Sequence, residues 1–208
     1  MIASHDSYTY QKAKNPLMNL ISIFWKCQKL DIQNQYDLGV RIFDVRVYKN
    51  NKGKWGTAHG TAHFKQSFDS IVSICEYFKT QFPGSFIRIY LEDNVKNNNE
   101  LKELFLKEAD EAFTKYFDIL WEIGTHVPWI TYYRNPDFQM SIKEYYCHLF
   151  NWNTDKDFIY NLKNIDWSSW CLPLYAKKHN PIITQEMIND PNIMYLMDYV
   201  GIYPKGGN

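Results

Sequence analysis

The chain has 208 residues, of which 45% are hydrophobic, and we expect residues 1–208 to form one domain around a single core. Its 23 basic and 23 acidic residues cancel, which excludes a global field that would draw the protein onto nucleic acid or anionic lipid, so a charged substrate must be captured locally. No apolar run approaches the roughly 18 residues that span a bilayer, and the first residues lack the features of a signal peptide. We therefore expect either a secreted or a cytoplasmic protein.

The first predicted elements alternate between strands and a helix. The pattern of Gly39–Tyr48 predicts a strand, and a break in its phase near Phe43 indicates a bulge. A polar turn leads to a short strand at Trp55–Ala58. From Ser67, apolar residues recur at helical spacing until Pro83, where the segment ends.

A second strand and helix follow. Phe86–Leu91 is typical of a buried strand, and the apolar residues from Leu101 to Phe113 have helical spacing. Near the C-terminus, Ile182–Ile188 is predicted to be helical and Ile193–Val200 to form a final strand. Strands that alternate with helices favour a parallel sheet, and the site of such a fold lies at the carboxyl ends of its strands.

The segment between Ile119 and Leu174 has no single period. It contains two candidate strands, Trp129–Tyr133 and Leu172–Tyr175, and one candidate helix, Ile142–Phe150. The four cysteines of the chain lie far apart and lack the Cys-x-x-Cys or Cys/His spacing of a zinc site, so we expect no structural zinc.

A few side chains are able to carry acid–base or phosphate chemistry. His5 and His59 can take and return a proton near neutral pH, although an isolated histidine is more often structural. Asp44 and Arg46 are two residues apart on one face of a strand, where Arg46 could grip a phosphate or simply form an ion pair with Asp44. His63 competes with His59 as a candidate. A shared metal between these two histidines would need a helix, which the neighbouring glycines disfavour.

The order of the motifs carries more information than any one of them. The chain has His5-Asp6-Ser7, then Gln35–Tyr48 with its Gly-Val-Arg-Ile-Phe-Asp-Val-Arg core, then His59-Gly60. This order resembles the catalytic X-region of the phosphatidylinositol-specific phospholipases C, of the bacterial, metal-independent type. Leu196–Val200 also looks like the last barrel strand of that family. The resemblance implies an α/β fold, namely a small, distorted or incomplete TIM-like (β/α) barrel, because the chain is shorter than typical bacterial members.

The resemblance also implies roles for the two histidines and their partners. It makes His5 the general base and Asp198 the residue that orients it. His59 would be the general acid, held by Asp6.

Four further residues receive roles in the same way. Arg46 would take the place at which the animal members bind calcium, and Asp44 would support proton transfer to the leaving group. Glu92 and Arg88 would bind substrate. With a permanent charge at Arg46, we expect no metal and no other cofactor.

The activity implied is cleavage of phosphatidylinositol, or a related inositol phospholipid at a membrane surface, through a cyclic inositol phosphate. We expect a monomer with peripheral membrane contact and no nucleic-acid partner. Candidates for the inositol platform and the membrane rim are aromatic: Trp129, Trp152, Trp167, Trp170 and Tyr175.

Two other functions remain open at this point. One is a metal-dependent phosphodiesterase of the glycerophosphodiesterase or sphingomyelinase D kind, with Asp44 and Glu92 as ligands. The other is a lipid-binding module that kept the barrel and lost turnover.

Overall fold

The computed structural model describes residues 2–92, 98–125, 131–133, 172–173, 176–177, 180 and 195–201. The strands are β1 Ile2–Ser4, β2 Ile42–Lys49, β3 Trp55–His59, β4 Ala62–Phe68, β5 Phe86–Leu91, β6 Leu120–Thr125, β7 Thr131–Tyr133 and β8 Tyr195–Met197. The α-helices are α1 Pro16–Leu20, α2 Ile32–Asp37, α3 Ile71–Gln81 and α4 Asn99–Tyr116, and Ser7–Tyr10 and Ser22–Phe24 form short 3₁₀ turns. None of the described helices is both long and apolar enough to cross a membrane.

The strands form one mixed sheet. Its order is β4-β3-β2-β5-β6-β7, and β1 lies between β2 and β8. β1, β2, β5, β6 and β8 are joined by parallel pairings, whereas β3, β4 and β7 are antiparallel to their neighbours. The expected α/β class is therefore confirmed. Closure of the sheet into a barrel is not seen among the described residues.

Strand β2 shares one of its edges between two other strands. The first half of that edge pairs with β1 in parallel, with Ala3 opposite Ile42 and Ser4 opposite Phe43. The second half pairs with β3 in the antiparallel sense, from Val47 opposite Thr57 onward. β1 and β3 thus run towards each other, and the residues at their carboxyl ends meet beside the middle of β2.

The predicted bulge near Phe43 is wrong. β2 keeps an unbroken register with β5 from Ile42 to Val47. The break in the sequence pattern arises because β2 is central in the sheet and is buried on both faces, so its residues need not alternate between apolar and polar. Register shifts occur elsewhere, between β3 and β4 and between β5 and β6.

Helices α3 and α4 pack against each other and cover one face of the sheet. The α3 helix begins at a capping box in which Ser70 and Ser73 exchange hydrogen bonds. Its apolar face carries Phe78 into a cluster with Phe43, with ring centroids 5.4 Å apart. On α4, Phe105 meets Trp55 edge-on at 5.8 Å. These buried rings fix β2 and β3 from behind, opposite the face that carries Asp44 and Arg46.

The structure confirms some of the remaining predicted helices and strands and contradicts others. The helix expected from Ser67 begins at Ile71, because the preceding residues form β4, an edge strand that the pattern did not reveal. Leu172 and Pro173 are helical, so the strand expected at Leu172–Tyr175 is wrong there. Two other predicted strands are confirmed in the part that the structure describes: β7 lies within Trp129–Tyr133 and β8 within Ile193–Val200, and β8 ends at Met197. The helices predicted at Ile142–Phe150 and Ile182–Ile188 lie outside the described residues.

Gln28 fastens the carboxyl ends of β1 and β8 to each other. Its fully buried amide donates to the backbone carbonyls of His5, at 2.9 Å, and of Met197, at 2.6 Å. Its side-chain oxygen accepts a hydrogen bond from the Val200 N–H at 3.1 Å. One side chain therefore bonds three backbone groups, one near the start of the chain and two near its end.

Replacing Gln28 by alanine is expected to lower the free energy of unfolding by about 3 kcal/mol, because three buried backbone groups each lose a hydrogen bond and the Met197 carbonyl keeps only the one from the His5 N–H. Chemical denaturation of the purified variant measures this loss. Gln33→Ala is the matched control, since Gln33 is exposed on α2 and, within the described residues, bonds only to Asp37 one turn away, and its effect should stay within about 0.5 kcal/mol. Equal stability of the two variants would contradict the fastening role.

Candidate active site

His5 follows β1 and lies in a ring of charged partners. Its Nδ1 is 2.8 Å from Oδ1 of Asp198, and its Nε2 is 2.8 Å from Nη2 of Arg46 and 3.2 Å from Oδ2 of Asp6. A neutral ring would donate from Nδ1 to Asp198 and accept at Nε2 from Arg46, whereas a protonated ring would donate from Nε2 to Asp6. Nε2 is therefore the nitrogen at which a proton can be gained and lost.

The surroundings of His5 favour its protonated form. Burial by itself lowers the pKa of His5, but the carboxylates of Asp6 and Asp198 outweigh burial and the repulsion of Arg46, so the pKa is raised above 6.5. The charged imidazole consequently stabilises the fold fully below the unfolded pKa, and this contribution is lost as the pH rises through the folded pKa.

His59 ends β3 on the opposite side of the same pocket. Its Nδ1 donates to the carbonyl of Trp25 at 2.6 Å, which leaves Nε2 as the exchanging nitrogen, 3.4 Å from Oδ2 of Asp6. The rings of His5 and His59 have centroids 6.4 Å apart and are inclined at 66°. Gly60 turns the chain with a positive φ of 56°, and its N–H donates to Glu92 at 3.0 Å.

Asp6 joins the two histidines and Arg46. One carboxylate oxygen, Oδ2, faces both imidazoles, while Oδ1 lies 2.5 Å from Nε of Arg46. Burial alone raises the pKa of Asp6, but Arg46, His59 and His5 lower it far more, so the carboxylate stays ionised. Asp6 has a left-handed backbone with φ 42°, unusual for a residue with a side chain, which turns its N–H towards Asp44 at 3.1 Å.

Asp44 and Arg88 form a second layer below these groups. Asp44 lies 3.7 Å from Nε of Arg46 and 3.4 Å from Nη1 of Arg88, and Arg88 donates from Nε to Glu122 at 2.8 Å. The ladder follows the register of β2, β5 and β6, in which Asp44, Arg88 and Glu122 are opposite one another. Burial raises the pKa of Glu122, which Arg88 partly offsets. A row of alternating charges inside the sheet thus supports Arg46 from beneath.

All the predicted catalytic side chains are brought together by the structure: His5, Asp6, Asp44, Arg46, His59 and Asp198. Of the two predicted substrate contacts, Arg88 is 3% exposed and is engaged with Asp44 and Glu122, and Glu92 is also 3% exposed and accepts from Gly60. Whether either touches substrate stays a prediction.

Sequence reasoning missed Cys27, which is buried beside the site. Its thiol donates to Oδ2 of Asp6 at 3.5 Å and lies 3.8 Å from Nδ1 of His59. Burial and the carboxylates of Asp198 and Asp6 raise the pKa of Cys27 well above its usual value, so the thiol stays protonated. In the described part of the chain, His5, Asp6 and Cys27 group potential metal-ligand atoms within 4.8 Å of one another, but Arg46 already contacts the first two.

An exposed apolar segment, also missed, lies beside His59. It comprises α1 and the following 3₁₀ turn, with Leu17 70%, Leu20 81% and Phe24 53% exposed. Trp25, whose carbonyl holds His59, comes directly after it. The aromatic rim candidates predicted from the sequence lie outside the described residues: Trp129, Trp152, Trp167, Trp170 and Tyr175.

The contribution of Asp198 to the pKa of His5 is open to direct test. We expect Asp198→Asn to lower the pKa of His5, because the amide keeps the hydrogen bond to Nδ1 and removes a negative charge, while burial continues to disfavour the cation. An NMR titration of the histidine signals measures the change. A pKa that is unchanged or higher in the variant would contradict the assignment of Asp198 as the partner of His5.

No model of a protein family matches the chain. A curated protein from Staphylococcus aureus strain Newman, 1-phosphatidylinositol phosphodiesterase, is 23% identical over 136 residues, which is 65% of this chain and 36% of that protein. The counterpart from strain NCTC 8325 is equally identical, with 34% of its length matched. The match thus spans about a third of the length of these relatives.

Solved structures show the same likeness in the fold. A phosphatidylinositol-specific phospholipase C from Staphylococcus aureus superposes with a TM-score of 0.56 at 16% identity, covering 97% of this chain and 86% of that one. The enzyme of the same name from Listeria monocytogenes gives 0.55 at 14% identity, covering 96% and 87%. In sequence and in fold, the chain is therefore similar to the bacterial phosphatidylinositol-specific phospholipases C.

Proposed function

We propose that the protein is a metal-independent phosphodiesterase that cleaves phosphatidylinositol, or a related inositol phospholipid, through a cyclic inositol phosphate. One observation carries the proposal. Two imidazoles, His5 and His59, face the same carboxylate of Asp6 through their exchanging nitrogens, and Arg46 lies against that carboxylate. This set supplies a base, an acid and a fixed positive charge around one phosphorus atom.

The reaction begins with the inositol 2-hydroxyl. Nε2 of His5 takes the hydroxyl proton as the oxygen attacks the neighbouring phosphorus. The bond from phosphorus to the glycerol oxygen breaks, and that oxygen receives a proton from Nε2 of His59, which releases diacylglycerol and a 1,2-cyclic inositol phosphate. Water then opens the ring while the two histidines exchange roles. Each step returns one proton for the one it takes.

The surrounding residues position the two histidines for opposite tasks. Asp198 holds Nδ1 of His5 and so directs Nε2 to the substrate. Asp6 lies 3.4 Å from Nε2 of His59, the nitrogen that would carry the proton to the leaving oxygen. Arg46, whose pKa is raised by Asp6 and Asp44 in spite of burial, keeps its charge to neutralise the phosphate oxygens. Asp44 and Arg88 keep Arg46 on the phosphate side of β2.

The geometry does not favour the metal-dependent alternative. Of its two supposed ligands, Asp44 is occupied by the Asp6 N–H and by two arginines, and Glu92 accepts from the Gly60 N–H. The guanidinium of Arg46 would also repel a cation placed next to Asp44. A module that binds without turnover is equally disfavoured, since both imidazoles keep the partners that fix their tautomers.

Alanine at either histidine is expected to reduce turnover of phosphatidylinositol by about 100-fold or more, because each change removes one proton-transfer group. Activity of the unaltered protein should persist in excess chelator. Phosphorus NMR of the products, which resolves the cyclic phosphate from the open monoester, measures both.

Gln33→Ala, purified in the same way, is the control variant and should keep full activity. Circular dichroism checks that each variant is folded. Loss of activity with chelator would select the metal-dependent alternative. Binding of phosphatidylinositol without any product would select the non-catalytic module.

We further propose that the exposed apolar segment of residues 16–24 enters the membrane surface. Its leucines and phenylalanine form the apolar patch next to the site, and Trp25 links the patch to His59. An apolar patch on a water-soluble surface marks an interaction site, and a lipid interface would bury these side chains. The contact would present the site to lipid headgroups.

Leu17→Ser and Leu20→Ser are each expected to weaken binding to phosphatidylinositol vesicles about tenfold, since each removes a large apolar side chain from the interface. A vesicle sedimentation assay measures binding. Leu38→Ser is the matched control, because Leu38 is 51% exposed on a different element. Equal losses in all three variants would argue against a specific membrane contact.

A further inference from the structure

Thr9 lies in the short 3₁₀ turn that follows Asp6, and its side chain is fully buried. Its hydroxyl donates to the backbone carbonyl of Asp6 at 2.8 Å. The same oxygen accepts hydrogen bonds from the backbone N–H of Cys27, at 3.0 Å, and of Gln28, at 2.8 Å. A threonine hydroxyl has one proton to donate and two lone pairs, so its whole hydrogen-bonding capacity is used here. One buried oxygen thus joins the turn after β1 to the segment that runs beside the site.

The backbone of Asp6 depends on this support. Its φ of 42° and ψ of 56° lie in the left-handed region, which a residue with a side chain seldom occupies unless its surroundings hold it there. On one side, Asp44 accepts a hydrogen bond from the N–H of Asp6 at 3.1 Å. On the other side, the carbonyl of Asp6 accepts both from the N–H of Thr9, at 2.9 Å, and from its hydroxyl. The strained residue is therefore held at both of its peptide groups.

The backbone conformation of Asp6 determines where its carboxylate lies. Oδ2 is 3.2 Å from Nε2 of His5 and 3.4 Å from Nε2 of His59, and a rotation of the backbone would change both distances at once. Thr9 also acts on this oxygen through the other segment. Because Thr9 holds the N–H of Cys27, it helps to place the thiol that donates to Oδ2 at 3.5 Å. Both connections from Thr9 therefore lead to the same carboxylate oxygen.

We propose that Thr9 is a positioning residue for the reaction and that it acts through Asp6. The inference rests on the proposed function, in which Asp6 lies between the two proton-transfer groups. A hydroxyl that only stabilised the fold would change stability alone, whereas a positioning hydroxyl sets the distances from the carboxylate to the two imidazoles. A displacement of about 1 Å in such a site costs about 100-fold in rate.

Ser85 offers a matched control in another part of the fold. Like Thr9, it donates from both its N–H, at 3.1 Å, and its hydroxyl, at 2.7 Å, to the carbonyl three residues earlier, which here belongs to Phe82. Ser85 is also buried, and it precedes β5 at the amino end of that strand. Ser85→Ala therefore removes a buried hydroxyl with the same local hydrogen bonds but without a contact to Asp6.

The first test compares turnover of phosphatidylinositol in variants of Thr9. Thr9→Val keeps the size of the side chain and removes the hydroxyl, and we expect it to lower kcat about tenfold or more with KM nearly unchanged. Thr9→Ser keeps the hydroxyl and should restore kcat, and Ser85→Ala should keep full activity. Thr9→Cys has a weaker donor and acceptor and should lie between the serine and valine variants. It takes the place of Thr9→Val if that variant does not fold.

The second test is an NMR titration of His5, which requires no turnover. The carboxylate of Asp6 raises the pKa of His5 against the effect of burial. Displacement of Asp6 in Thr9→Val should therefore lower this pKa, and Thr9→Ser should return it to the value in the unaltered protein. Ser85→Ala should leave it unchanged, since a loss of stability alone does not move the carboxylate.

The two measurements together decide the inference. It is overturned if the folded variant without the Thr9 hydroxyl keeps the kcat or the His5 pKa of the unaltered protein. A loss that Thr9→Ser does not reverse, or an equal loss in Ser85→Ala, overturns it as well. If the unaltered protein does not cleave phosphatidylinositol but the pKa falls in Thr9→Val and recovers in Thr9→Ser, then Thr9 positions Asp6 and the proposed reaction is wrong.

Discussion

The site depends on the way in which two strands divide one edge of β2. β1 occupies the first half in parallel and β3 occupies the second half in reverse, so both strands end beside the same few residues. His5 and His59 come directly at those ends, and their rings face each other with no long loop to position them. The buried aromatic cluster behind β2 and β3 keeps this arrangement rigid. A fold with β1 and β3 on opposite edges of β2 would separate the two imidazoles.

The buried charged groups are tolerated because each is paired with a group of opposite charge. Asp6 lies against Arg46 and both histidines, and the row of Asp44, Arg88 and Glu122 adds further pairs of opposite charge beneath them. Burial opposes ionisation of Asp6 and His5, yet their partners keep Asp6 ionised and raise the pKa of His5. Burying so many charged groups costs desolvation free energy that an apolar core would avoid. The network is therefore better explained by a catalytic role than by a structural one.

Much of this arrangement could be predicted from the sequence, but the parts that could not share a physical reason. Helix α3 and strand β5 follow from local periodicity, and the candidate catalytic side chains follow from the order of three short motifs. Strand β4 was missed because it is a polar edge strand that looks like a loop. Gln28 and the Trp25 carbonyl were missed because their roles come from backbone contacts between residues distant in the chain. The hairpin that joins β2 to β3 determines the geometry of the site. Its antiparallel register sets His59 opposite His5, and the periodicity of the sequence does not give that register.

The position of Asp6 between both imidazoles bears on the energetics of the proposed reaction. A proton that arrives at one ring and a proton that departs from the other leave the total charge around this carboxylate the same. The electrostatic field around Asp6 is therefore nearly the same before and after the transfer, and the surrounding polar groups need to rearrange little. In the proposed reaction, ring opening reverses the direction of both transfers, so the same carboxylate would serve the second half of the cycle as well as the first.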